Sequence, residues 1–182
     1  FLQQRFCKPG AVFLQAVHRL DRPVTGIVLF ARTSKALSRL NQSSRQRDFR
    51  KVYLARVEGR PPQNTAMLED WLVHDDFRAR VAAAGSAGAR LCRLQYTLLA
   101  EGRDSSLLEI ILETGRYHQI RAQLARLGNP ILGDTRYGAR QRWLPDAIAL
   151  QHYRLSFRHP ISQEEITLQA NDQTVRLGLN RS

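Results

Sequence analysis

Cysteine, methionine and lysine are all scarce in this 182-residue chain: two cysteines, one methionine and three lysines, Lys8, Lys35 and Lys51. Cys7 and Cys92 lie far apart and form no C-x-x-C unit. That argues against a disulfide framework and a cysteine-based zinc site, and makes a reducing compartment, the cytoplasm, the expectation. No apolar run approaches the roughly 18–20 residues that span a bilayer, so no membrane partner is expected. Phe1 to Gly10 lacks the basic, apolar and small-residue layout of a secretion signal. Gly85-Ser86-Ala87-Gly88 has neither the lysine nor the strand–loop–helix setting of a phosphate loop. The G-x-S-x-G elbow of a serine hydrolase is absent.

What the chain has is arginine. Lys plus Arg is 28 against 16 Asp plus Glu, a formal net charge of +12, and the pI is about 10.9. A soluble domain this basic most often meets a polyanion, but an arginine-favouring codon usage gives the same total with no target. Charge alone therefore only nominates nucleic acid. With 43% hydrophobic residues the chain can build an ordinary globular core.

Pro9-Gly10 is a turn signal in a loop-like start. Gly26 to Ala31 reads as a buried strand, and Thr33 or Ser34 caps a helix whose apolar face is Ala36, Leu37 and Leu40. Gln42 to Asp48 loses that period. Lys51 to Val57 alternates as a strand. Leu68 to Val73 reads as a short helix or turn, and Ala82 to Gly88 as a loop tip. Leu91 to Ala100 and Ser106 to Glu113 form a hairpin about Gly102. A helix is expected from about Tyr117 to Leu127, stopped by Gly128. Tyr153 to Arg158 and Glu164 to Gln169 close the chain as a second hairpin. Short connections and few helices predict an α+β fold with a mixed, largely antiparallel sheet.

Two segments are polar where the pattern calls for structure, and a third cluster is basic. In His18-Arg19-Leu20-Asp21-Arg22, arginines on both sides favour an ionised Asp21, available as nucleophile or base. The alternative is a turn aspartate that caps local N–H groups. In Gly115 to Arg121, His118 and Arg121 share a helix face. A buried Arg121 would need a carboxylate, with Asp21 the candidate; the alternative is a solvated basic face. A metal bound by His18, Asp21, His118 and Asp134 matches no zinc spacing and would be crowded by arginines, so no metal is expected. The third cluster gathers Arg39, Arg45, Arg47, Arg50 and Lys51 beside Tyr53. Basic side chains near an aromatic suit a single-stranded or flipped base, though each could be no more than solvated surface.

Four motifs in order resemble the RluA-type pseudouridine synthase family. They are His18-Arg19-Leu20-Asp21 followed by Thr25-Gly26, Lys51-x-Tyr53-x-Ala55-x-Val57-x-Gly59, Gly115-Arg116-x-His118-Gln119-Ile120-Arg121 continued by Gly128-x-Pro130-Ile131-x-Gly133-Asp134-x-x-Tyr137-Gly138, and Leu155-x-Phe157-x-His159-Pro160. Pro23-Val24-Thr25, Tyr117 and Gln123 depart from the family pattern beside the key positions. The family usually carries an N-terminal strand with an N-K-P-x-G motif and often a small RNA-binding domain. Neither is read here, so residues 1–182 are expected to be one catalytic domain without them.

The resemblance implies a pseudouridine synthase fold with a central RNA-binding cleft, and isomerisation of uridine in structured rRNA or tRNA without a cofactor. It implies Asp21 as the catalytic carboxylate, Arg121 as its partner and Tyr53 against the base. Arg19 would fill the space of a flipped nucleotide, and Arg22, Arg45, Arg47, Arg50, Lys51, Arg116 and His118 would contact RNA. A monomer is expected. A non-catalytic RNA-binding protein of this fold and a metal-dependent nucleic-acid hydrolase are the competing classes; the second predicts inhibition by chelators.

Overall fold

The computed structural model describes residues 12–171 and Val175. The turn expected at Pro9-Gly10, and Cys7, lie outside the described residues. Three two-residue strands come first: β1 Gln15–Ala16, β2 Thr25–Gly26 and β3 Phe30–Ala31. Then follow α1 Ser34–Arg45, β4 Arg50–Glu58, β5 Thr65–Asp75, β6 Arg78–Ala82, β7 Arg90–Glu101 and β8 Ser105–Leu112. Helix α2 is Gln119–Arg126, and β9 Leu150–Arg158 and β10 Glu165–Gln169 complete the order. The main sheet runs β10-β9-β4-β8-β7-β5-β6 with antiparallel neighbours throughout, and β2 adds to β9 in parallel. This is the expected α+β architecture. Among the described residues no helix is long and apolar enough to cross a membrane.

Strand β4 lies between β8 and β9 and is buried from Val52 to Glu58. Its Ala55 and Val57 pack with Leu94, Tyr96, Leu108 and Ile110 of β7 and β8, and with Ile120 and Leu124 of α2. The helix therefore lies on the sheet by the apolar side that its sequence predicts. A smaller cluster of Leu40, Phe49, Leu155 and Phe157 seats α1.

Four elements differ from the sequence reading. Leu68 to Val73 is the middle of β5, an eleven-residue strand, not a helix or turn. The pattern is disguised by Glu69 and Asp70: Glu69 pairs across the strands with Arg93, while Asp70 is buried against Gln123 and Arg126. Gly26 to Ala31 breaks into β2 and β3. Helix α1 runs on to Arg45, since Thr33 accepts from the Ala36 N–H at its start and Gln, Ser and Arg tolerate a helix where the apolar period fades. Helix α2 starts two residues late because His118 is left-handed, at φ 51°.

Gly26 marks the closest approach of chain to sheet. Its φ is +114°, and a Cβ there would lie 2.3 Å from the His152 carbonyl oxygen of β9. Only glycine lets β2 come in against β9, and this contact anchors the segment that carries Asp21 five residues earlier.

Candidate active site

Asp21 precedes β2 in a turn closed by the bond from the Val24 N–H to the Asp21 carbonyl. Its carboxylate, 26% exposed, meets Arg121 from the first full turn of α2, with Arg121 Nη1 donating to Asp21 Oδ2 at 3.3 Å. The expected pair, 100 residues apart in sequence, is present. It is the lesser of two. Arg121 also makes a fork to Asp134, with Nε donating to Oδ2 at 2.7 Å and Nη2 to Oδ1 at 2.8 Å. Both side chains of that pair are buried. Burial works against the charged guanidinium, and the bonds and charge of Asp134 outweigh it, so the pKa of Arg121 is raised. Asp134 is held for this task by Gly133, whose φ of +81° and contact with Trp143 leave no room for a Cβ.

His118 completes the arrangement. Burial, with the nearby Arg121 and Arg136 charges, lowers its pKa to about 4, so the ring is neutral near pH 7. The network then assigns the tautomer. Arg121 Nη1 donates to Nε2 at 2.9 Å, and Nδ1–H donates to the Tyr137 hydroxyl at 2.9 Å. Tyr137 accepts from the Ala79 N–H at 2.7 Å and donates to the Ala79 carbonyl. The 3.4 Å approach of His118 to Asp21 is consequently not an ion pair. His118 was expected to contact RNA; both of its ring nitrogens are engaged within the protein, one with Arg121, and the residue lines both hollows beside Asp21. Three of the four residues of the metal reading meet at the same place. Asp21, His118 and Asp134 all converge on the Arg121 guanidinium.

Asp21 stands where two hollows meet. On one side is a pocket of about 240 Å³ lined by His18, Asp21, Lys51, Tyr53, Gly115, Arg116, Ile120 and Arg121, among others. On the other is a cleft of about 1280 Å³ lined by Arg22, His74, Tyr117, Asp134, Arg136, Arg142 and Trp143, among others. Arg19 is exposed and lines both. Tyr53 stacks on His152 with centroids 4.6 Å apart. Burial and the Asp21 charge raise its phenol pKa, so it is a neutral hydroxyl. Gln119 braces the Thr114–Arg116 wall, accepting from Thr114 Oγ1 at 2.8 Å and the Arg116 N–H at 3.0 Å.

The expected basic patch divides. Arg45, Arg47 and Arg50 are exposed at the end of α1 and the start of β4, and line neither hollow. Lys51 does not belong with them: it turns into the small pocket. Arg136, Arg142 and Trp143 line the cleft without having been singled out; the only signal was an arginine-rich loop next to an aromatic.

Histidines behind the pocket link the site to stability. His18, His118 and His152 each have a pKa lowered from 6.5 to about 4, burial being the largest cause. Below pH 6.5 the unfolded chain takes up protons that the folded chain refuses until about pH 4, so stability is lost as pH falls through that window. Thermal unfolding should therefore show a midpoint dropping by several degrees from pH 7 to pH 5. A flat midpoint would refute the neutral assignment.

The sequence profile of the RNA pseudouridylate synthase family matches residues 8–126. The chain is also 32% identical over 171 residues to the dual-specificity RNA pseudouridine synthase RluA of Pasteurella multocida, covering 91% of this chain and 73% of that one. The chain belongs to the RluA-type RNA pseudouridine synthase family. An uncharacterised RNA pseudouridine synthase of Chloroflexus aurantiacus is 44% identical over 128 residues, covering 70% of this chain and 40% of its own. The chain spans about half the length or less of several curated relatives that it matches, between 40% and 54%. The solved structure of human RNA pseudouridylate synthase domain containing 1 superposes with a TM-score of 0.77 at 22% identity, covering 94% of this chain and 72% of that one. That likeness concerns the fold.

Proposed function

We propose that this chain isomerises uridine to pseudouridine in structured RNA, ribosomal or transfer, with Asp21 as the catalytic carboxylate. One observation carries the reading: a partly exposed carboxylate, aimed by a buried guanidinium, sits at the mouth of a pocket of about 240 Å³, on the edge of an arginine-lined cleft. The pocket admits one planar base; the cleft admits the strand from which it is drawn.

The reaction breaks the bond from uracil N1 to the ribose, turns the base and rejoins it through C5. Nothing is oxidised, reduced or hydrolysed, so the chemistry requires a positioned carboxylate and a site that retains the base. Asp21 engages the reacting nucleotide while Arg121 fixes its orientation. Tyr53 packs against the base. Because its phenol stays protonated, it acts as a hydrogen-bond donor and proton relay and not as a resident base. Arg19 takes the place that the extruded nucleotide leaves in the RNA, offsetting part of an extrusion cost of a few kcal/mol. Arg22, Arg116, Arg136 and Arg142 supply salt-dependent backbone contacts.

The test is incubation with bulk RNA from cells lacking the protein, with and without chelator, followed by mapping of pseudouridine. New pseudouridine at defined positions, unaffected by chelator, is the expected result and names the substrate. RNA binding with no new pseudouridine would mean a non-catalytic binder; chelator-sensitive strand cleavage would mean a hydrolase.

A further inference from the structure

Lys51 is a half-buried cation that the proposed mechanism leaves without a task. It shares the small pocket with Asp21 and Tyr53, and Tyr53 follows it by two residues on β4. Its ammonium stands by the opposite wall: a Cβ on Gly115 would be 3.9 Å from Nζ. No carboxylate lies within ion-pair distance of it among the described residues. The Phe49 ring lies 5.9 Å from Nζ to its centroid, and the Lys51 charge also reaches His18 and His152, both kept neutral chiefly by burial. Burial lowers its pKa, and no protein anion offsets that cost. The other cations of the pocket are spent or peripheral. Arg121 is committed to Asp134 and Asp21, while Arg19 and Arg116 are exposed at the rim. A half-buried charge with no protein anion beside it carries a desolvation cost, so its natural partner is negative charge arriving with a ligand.

Such charge arises during the reaction itself. When the N1–C1′ bond breaks, both electrons stay on the base, and the negative charge spreads over N1, O2 and O4. The charge appears whether Asp21 bonds to the sugar carbon or removes a sugar proton. Resting on the isomerase reading above, we infer that Lys51 receives a carbonyl oxygen of the detached uracil anion and holds the base in the pocket while it turns. In the return half, ring electrons form the C5–C1′ bond and Asp21 gives back the bond or the proton that it took. C5 then loses its proton and N1 gains one, so the sum is an isomerisation. A fixed cation aimed at charge that develops only after bond breaking accelerates the chemistry without tightening RNA binding.

The variant is Lys51→Met, which keeps length and removes charge. Single-turnover tritium release from C5-labelled RNA should fall about 10²–10³-fold. The RNA dissociation constant and its salt dependence should stay within about threefold of wild type, and the unfolding midpoint should not drop. A backbone-contacting lysine would behave in the opposite way, with the salt slope reduced by about one and weaker binding at unchanged single-turnover rate; that pattern overturns the inference. A second measurement does not need turnover. 5-Nitrouracil is ionised near neutral pH whereas uracil is not. Wild-type protein should bind 5-nitrouracil in preference to uracil, and Lys51→Met should lose at least about tenfold of that preference. The same preference in both proteins, or none in wild type, overturns it. If wild type releases tritium and the variant does so equally, the isomerase reading stands and Lys51 has no such role. If wild type releases none yet shows the Lys51-dependent preference, the anion site stands and the isomerase reading falls.

Discussion

Asp21→Asn is expected to remove tritium release from C5-labelled RNA by at least about 10⁴-fold, more than about 5 kcal/mol of transition-state stabilisation. The amide matches the carboxylate in size and can still meet Arg121, so the pocket should keep its shape. It cannot attack carbon or accept a proton. Since Asp21 is 26% exposed, and Arg121 keeps its fork to Asp134, the folded state should lose little. RNA binding should change by no more than a few-fold, as the proposed backbone contacts of the cleft arginines require. The informative comparison is rate against affinity on the same RNA. Wild-type-like release by the Asn variant refutes the assignment of Asp21. Loss of binding in step with loss of release would mean that Asp21 organises the cleft rather than the chemistry.

Different physical causes made some features legible in the sequence and hid others. Strands β4, β7 and β8 declare themselves because period-two alternation is the direct consequence of a pleated strand with one buried face. Strand β5 was hidden by Glu69 and Asp70, whose charges are satisfied by Arg93, Arg126 and Gln123 on neighbouring elements. A pattern that scores polarity residue by residue has no access to such partners. Alternation also carried a signal that the charge cluster masked. Arg50 and Lys51 are adjacent, so they face opposite ways; Arg50 is exposed and Lys51 lines the pocket. Arg121 could be identified as a buried arginine in need of a carboxylate, and Asp21 could be named for it. Asp134 could not be placed as the main partner by spacing. It reaches the guanidinium through a loop after α2 whose path depends on Gly133 packing under Trp143. The contacts of His118 were hidden for a related reason: its left-handed backbone sets the ring against both Arg121 and Tyr137, and helical spacing alone does not give the second partner.

The same guanidinium serves two carboxylates, and the second large effect comes from separating them. Asp134→Ala is expected to destabilise the fold by about 3–5 kcal/mol, the cost of leaving a buried arginine without its fork. For a chain of this size that lowers the unfolding midpoint by roughly 6–20 °C. Activity should fall as well, since Arg121 is free to swing toward Asp21 or away from it once Nε and Nη2 lose their acceptors. The two aspartates thus predict opposite signatures on one residue. Asp21→Asn costs rate with little stability; Asp134→Ala costs stability first and rate through loss of aim. Arg121→Met then discriminates further. It removes the buried charge but strands Asp134, whose side chain is 1% exposed, so it too should unfold early. Combining it with Asp134→Leu removes both charges and should recover much of the lost stability, as replacing a whole buried pair by apolar groups often does. That double variant should nevertheless remain inactive, because Asp21 still lacks the donor that aims it. Recovery of tritium release alongside stability would show that Arg121 acts on the fold alone, and that Asp21 needs no partner for its chemistry.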